Sequence, residues 1–311
     1  MLDSPKRVAD AAEPPVVASE DRQEVVVGIR DPEKNLKSID FVAVLAALRK
    51  AGFTAAQMEF SGEWAPVQDE DNTGNPYVGE FIGIPMSRAG SLRAQAWNAS
   101  LYTLPEWQCR PHGAMYISRG PSQLRISKEV DPISRQITAY HAQWLRSVDN
   151  PYYMDGRPRP NDMAPHTWGG FSTAVFEGEM LRITTTHLKE DYYRRNGVPS
   201  SDRATLTQYW IRRGEFLTWV TIAYDPLYLA EPMIRSSEYR FSPNQQIPPY
   251  PCTAVEEVAR EQGVVPHHVP GTNPFLKEFG EKYNLPMEAT LGGPATMYPE
   301  LARKIQRERN R

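Results

Sequence analysis

Four histidines in the middle of the chain, His112, His141, His166 and His187, stand among tyrosines, tryptophans and carboxylates. Histidine is the side chain best suited to proton transfer near neutral pH. His141 sits in the run Tyr140-His141-Ala142-Gln143-Trp144, His166 in Pro165-His166-Thr167-Trp168, and His187 closes the alternating run Met180 to His187. If the strands that carry them are neighbours, His141 and His187 both point into a barrel mouth. His187 or His141 then serves as general base and His166 or Tyr140 as acid. Arg182 or Arg125 orients an anionic group, and Trp144, Trp168 and Trp210 hold an apolar or cyclic one. The plainer reading has each imidazole bonded to a backbone carbonyl, the arginines on a solvated outer face and the aromatics in the core. Asp155, Asp162, Glu190, Asp191 and Asp202 are the acidic candidates, although Asp155-Gly156 is foremost a turn signal.

Cofactor chemistry has little support in the residues. Cys109-Arg110-Pro111-His112 offers one thiolate and one imidazole, whereas zinc takes three or four ligands at suitable spacing, so no metal is expected. Glycine-rich phosphate loops, a G-x-S-x-G elbow and HExxH are missing from the sequence, and no cofactor is expected. Cys109 and Cys252 are the two cysteines; they allow one disulfide, if the protein is exported, or two free thiols.

The elements that must position these groups centre on Trp168 to Asp202. Ser172 to Phe176 is β-prone, Glu177-Gly178-Glu179 is a turn, and Met180 to His187 alternates with a period of two. A charged, aromatic loop follows, Lys189 to Arg195, and marks where a polar site is expected. Similar hairpins are predicted for Gln123–Val130 with Gln136–Arg146 and for Ala204–Arg212 with Glu215–Tyr224, followed by a strand over Met233–Phe241. A short helix is expected over Ser91–Trp97. The fold class read from this is mainly β, an antiparallel meander closing into a barrel, with a sandwich as the other option. Residues 1–22 read as a loose arm, 23–58 as a small β-α element and 59–242 as the barrel. Residues 243–311 read as a proline-rich tail with helices at 254–262, 273–283 and 298–309. The tail's spaced aromatics must cover another surface, which predicts a homo-oligomer joined through the tail.

Two resemblances add to this. Gly62-Glu63-Trp64 resembles the lipocalin signature, in which the tryptophan closes the barrel floor. PEWQCRPHGAMY, YMDGRPRPND, HTWGGFSTAVFEGEMLRITTTHLKE, RRNGVPSSDRATLTQYW and DPLYLAEPMIR together resemble a large group of uncharacterised bacterial β-rich proteins over about residues 60–260. That resemblance implies a periplasmic or secreted location and no particular activity. The chain departs from the pattern at Arg159 (often His), Phe176 (often Trp) and Glu179 (often Asp); the first weakens any metal site on that turn.

Composition bounds the remaining options. A 40% apolar and 23% charged chain with net charge −3 is ordinary for a globular protein, and its basic residues form no run of the kind nucleic acid requires. No apolar stretch is long enough to span a bilayer, and the first residues lack the apolar core of a signal peptide, which taken alone points to the cytoplasm. Proline outnumbers glycine, 28 to 20, favouring short strands and stiff loops. The expected function is a cofactor-independent lyase, hydratase or isomerase working on a small, partly apolar molecule inside the barrel. A non-catalytic ligand-binding barrel and a structural subunit of an oligomer are the alternatives.

Overall fold

The computed structural model of the chain describes residues 59–67, 76–118, 122–145 and 149–309. The expected arm and β-α element lie outside the described residues.

The chain is mainly β, and nine of its described strands close a barrel. The described residues hold eleven strands, in chain order β1 (Gly62–Pro66), β2 (Leu124–Val130), β3 (Ile137–Trp144), β4 (Asn150–Tyr153), β5 (Phe171–Glu177), β6 (Met180–Thr186), β7 (Asp191–Arg194), β8 (Val198–Ser200), β9 (Thr205–Arg213), β10 (Phe216–Tyr224) and β11 (Met233–Phe241). The barrel order is β1-β11-β10-β9-β6-β5-β4-β3-β2, with β1 pairing to β2 to close the ring. β7 and β8 form a separate two-stranded ribbon. The three hairpins expected from alternation are all present, as β2–β3, β5–β6 and β9–β10. Gly178, at a φ of 63°, makes the two-residue turn between β5 and β6 that other residues resist.

The barrel departs from a simple antiparallel meander at one place. β4 and β5 run parallel. The connection between them, 154–170, carries prolines at 158, 160 and 165, which cannot donate to a sheet ladder and deny a tight hairpin. The segment instead crosses the molecule and re-enters β5 from the end where β4 began, so the pair must be parallel.

Alternation along each strand sorts the side chains between lumen and surface. Trp64, Tyr140, Tyr152, Trp210, Trp219 and Tyr239 are fully buried and fill the lumen with Phe60, Leu124, Ile126 and Leu217. Trp64, the tryptophan of the Gly-x-Trp start, meets Phe241 edge-on at 5.4 Å and donates its indole N–H to the Phe60 carbonyl at 3.0 Å.

Residues 76–118 fold over one end of the barrel. The helix Arg88–Gln95, expected slightly later in the chain, starts at Ser87, whose hydroxyl accepts from the Gly90 amide at 3.1 Å. Pro105–Gln108 and Ala114–Ile117 are short helices. The tail packs on its own chain: the Phe81 amide bonds Thr290 O at 2.8 Å and the Gly293 amide bonds Ile84 O at 2.9 Å. Its last helix, Pro299–Arg309, agrees with expectation. The helix expected at 254–262 is not formed. Its apolar side, Val255 and Val258, stands exposed, and a single short helix without a packed face is marginal in water. No helix among the described residues is long and apolar enough to cross a membrane.

Candidate active site at the capped end of the barrel

The expected catalytic set does not converge. His141 lies on the outer face of β3, where Nε2 faces Glu129 at 3.0 Å and Nδ1 faces Asp149 at 3.0 Å. Tyr140, the preceding residue, points the other way into the lumen, between Phe60 and Trp210, where burial pushes its hydroxyl up to about 12. Arg125 pairs with Glu63 and Arg182 with Glu177, both on the outside of the barrel. Trp210 is barrel core. The lumen that was expected to receive a ligand is occupied by these aromatic side chains.

His166 and His187 do come together, with ring centres 5.3 Å apart. His187 sits in left-handed backbone, at a φ of 57°. Its Nδ1 lies 2.8 Å from Thr186 Oγ1 and its Nε2 donates to Asn161 O at 2.9 Å. His166 Nδ1 donates to Leu188 O at 2.7 Å. This pair fastens the 154–170 crossover to the end of β6, the plainer of the two readings.

The chemistry-bearing cluster is instead the start of β7, under the cap. Three segments build it: the cap from Arg93 to Gly113, the β7–β8 ribbon and the tail at Val265–His267. Between them lies a cleft of about 310 Å³. Trp97, Leu101, Trp107, Pro199, Val265 and Pro266 give it apolar walls, and Arg93, Arg110, Glu190, Asp191 and His267 give it charge. A larger groove beside the last helix, about 790 Å³, has no carboxylate or imidazole in its described lining, so acid–base chemistry points to the cleft.

Asp191 is the pivot. Its Oδ1 accepts from Arg110 Nη2 at 3.0 Å and its Oδ2 from the Gly113 amide at 2.9 Å. Burial still pushes its carboxyl up to about 6, against the pull of Arg110 and of the Gly113 and Tyr192 amides. Arg110 is held for this task by its surroundings. Its guanidinium lies 4.3 Å from the Trp107 ring centre and 4.1 Å from that of Trp168, and it donates to Glu190 O at 2.6 Å. Trp168, expected to bind substrate, thus supports a buried cation.

Beside Asp191, Tyr192 shares a short hydrogen bond with His112 Nδ1. Burial holds the Tyr192 hydroxyl far above the usual tyrosine range, with Tyr102 and Asp191 adding to the effect. A protonated hydroxyl donates to Nδ1 in the tautomer that carries the ring proton on Nε2. His112 stacks on Tyr116 at 4.4 Å and tilts against Trp144 at 5.1 Å, so it joins the cleft to the top of the barrel core. Trp144 accordingly supports His112 from the lumen.

Gly113 is the close approach that permits this packing. A Cβ there would stand 2.4 Å from Asp191 Oδ2. Gly113→Ala is therefore expected to displace the carboxylate and cost about 1–3 kcal/mol, read as a lowered unfolding midpoint; an unchanged midpoint would contradict this packing.

In the sequence Arg110 belongs only to a metal half-site and Asp191 to an acidic list, while His112 stands among the four candidate proton-transfer histidines and in that half-site. Nothing local in the sequence marks Tyr102, Trp97, Trp107 or the Tyr192 hydroxyl for chemistry. The available signal was the Asp191-Tyr192-Tyr193-Arg194-Arg195 run after the central hairpin. Among the described residues no group of three or more His, Cys, Asp or Glu is arranged to hold a metal ion. Cys109 and Cys252 form a disulfide, with Cα atoms 5.6 Å apart. No family model matches the chain, and comparison with curated proteins and with solved structures returned no match.

Proposed function

We propose that the cleft beside Asp191 performs cofactor-independent proton transfer, in the manner of a lyase, hydratase or isomerase, on a small, partly apolar molecule. The observation that carries the reading is a carboxyl pushed up to about 6 at the wall of an aromatic-lined cleft. A carboxyl with that affinity exchanges protons near neutral pH far better than an ordinary aspartate. Asp191 takes the proton from carbon and returns it. The Tyr192–His112 pair supplies a second, protonated hydroxyl at the same wall. Trp97 and Trp107 favour a flat or cyclic body.

Deuterium incorporation tests this without knowledge of the product. Wild-type protein in D2O is incubated with a panel of small aromatic and alicyclic carbonyl acids, and carbon-bound deuterium is read by mass spectrometry. Exchange is expected to rise with pH through about 6, because the carboxylate is the base, and to fall by roughly 10²–10⁴ in Asp191→Asn. Carbon-13 NMR of labelled aspartate gives an independent reading. A midpoint for Asp191 at its ordinary 3.8 would remove the basis of the proposal.

The Cys109–Cys252 bond supports placing the protein in an oxidising compartment, periplasmic or extracellular. The exposed Phe275, Tyr283 and Met287 of the tail support a homo-oligomer joined there.

A further inference from the structure

The cleft is roofed on one side by a segment that is covalently latched. Cys109 caps the helix Pro105–Gln108, whose Trp107 lines the cleft, and Cys252 begins the tail segment that reaches the opposite lip at Val265–His267. From 252 to 268 the chain has no helix or strand and lies almost wholly exposed, with Arg260, Pro266 and His268 alone half-buried. Little apolar burial holds it.

Its anchors are at the two ends. At the first, the disulfide is joined by the Val255 amide donating to Gln108 Oε1 at 2.7 Å. At the second, the His268 amide donates to Ala96 O at 3.0 Å, and Asn273 Nδ2 donates to Gln95 O at 3.1 Å and Trp97 O at 3.0 Å. Cys252 is exposed, so a soluble thiol can reach the bond.

We infer that residues 252–268 are a redox-released strap: reduction of Cys109–Cys252 frees its first end and loosens the lip of the cleft. A dithiol is the reductant. One of its thiolates attacks a protein sulfur and the second closes the reagent's own ring. The reagent gives up two electrons and two protons, and Cys109 and Cys252 leave as two thiols. The regulatory meaning of the strap rests on the cleft being the working site; its release does not.

Hydrogen–deuterium exchange on the full chain tests the release, comparing the oxidised protein, the protein reduced with dithiothreitol, and Cys252→Ser. The Val255 amide, which donates to Gln108 beside the bond, is expected to exchange about tenfold faster in the last two, while peptides of β9 and β10 keep their protection. Unchanged exchange in the strap, with two free thiols counted, would overturn the inference. So would loss of protection in β9 and β10 in step with the strap, which would make the bond a staple of the whole fold. The measurement reads no turnover, so an inert cleft would leave it standing, and a fixed strap would leave the proton-transfer reading standing.

Discussion

Replacing Trp210 with alanine is expected to destabilise the protein by about 3–5 kcal/mol, the range for deleting a large aromatic from a packed core. Trp210 is fully buried among four other rings. Its centroid lies 5.1 Å from Trp219, 5.3 Å from Tyr152, 5.6 Å from Phe60 and 6.0 Å from Tyr140. Its register neighbours are Trp219 on β10 and Leu181 on β6. No single neighbour can swing in to fill the space, because Trp219, Tyr152 and Tyr140 are each fixed on their own strand and Phe60 lies just before β1. Val175→Ala, on the outer face of β5 where the side chain is 45% exposed, is the matched control and is expected within about 0.5 kcal/mol of wild type. Chemical denaturation of both variants measures the difference. A loss under about 1 kcal/mol for Trp210→Ala would mean that the lumen is not the close-packed core described.

Arg110→Ala is expected to be the most damaging change near the cleft, and its cost depends on pH. The arginine neutralises a largely buried carboxylate, and removing one partner of such a pair costs about 3–5 kcal/mol. The sign follows from Asp191. Its carboxyl binds a proton more tightly folded than unfolded, so it favours the folded state most below pH 3.8 and loses that contribution as pH rises through about 6. Without Arg110 the folded affinity for the proton climbs further. The variant should therefore approach wild type at pH 4 to 5 and fall furthest behind it above pH 7. Denaturation curves at three pH values decide the matter. An equal loss at all of them would show that Arg110 acts by packing against Trp107 and Trp168 rather than by charge.

The barrel was legible because a period of two and turn residues are local signals. Leu124–Val130, Met180–Thr186 and Met233–Phe241 announce themselves within their own few residues. The parallel step from β4 to β5 was not legible, since it depends on where a proline-rich crossover lands. The site was half legible. The polar run after His187 marks the place to look, and Asp191 and the Cys109–His112 segment both stand out by residue type. What joined them is a contact between residues some 80 positions apart, Arg110 Nη2 to Asp191 and His112 to Tyr192, and no local pattern encodes that. His141 misled because a strand position does not say which face is the inside until the neighbours are known.

The closure of the ring has a consequence for how the chain folds. Trp64 of β1 must pair with Phe241 of β11, so the first and last strands of the barrel meet only after all the others have been made. As the chain leaves the ribosome, β1 can pair with β2, but its other edge has no native partner until β11 emerges. An open edge of that kind invites pairing with other chains, and closure through such distant contacts is slow. Shortening the chain before β11 should therefore leave an aggregating species rather than a smaller barrel. The Cys109–Cys252 bond, whose second cysteine follows β11, can form only once this last strand has been delivered.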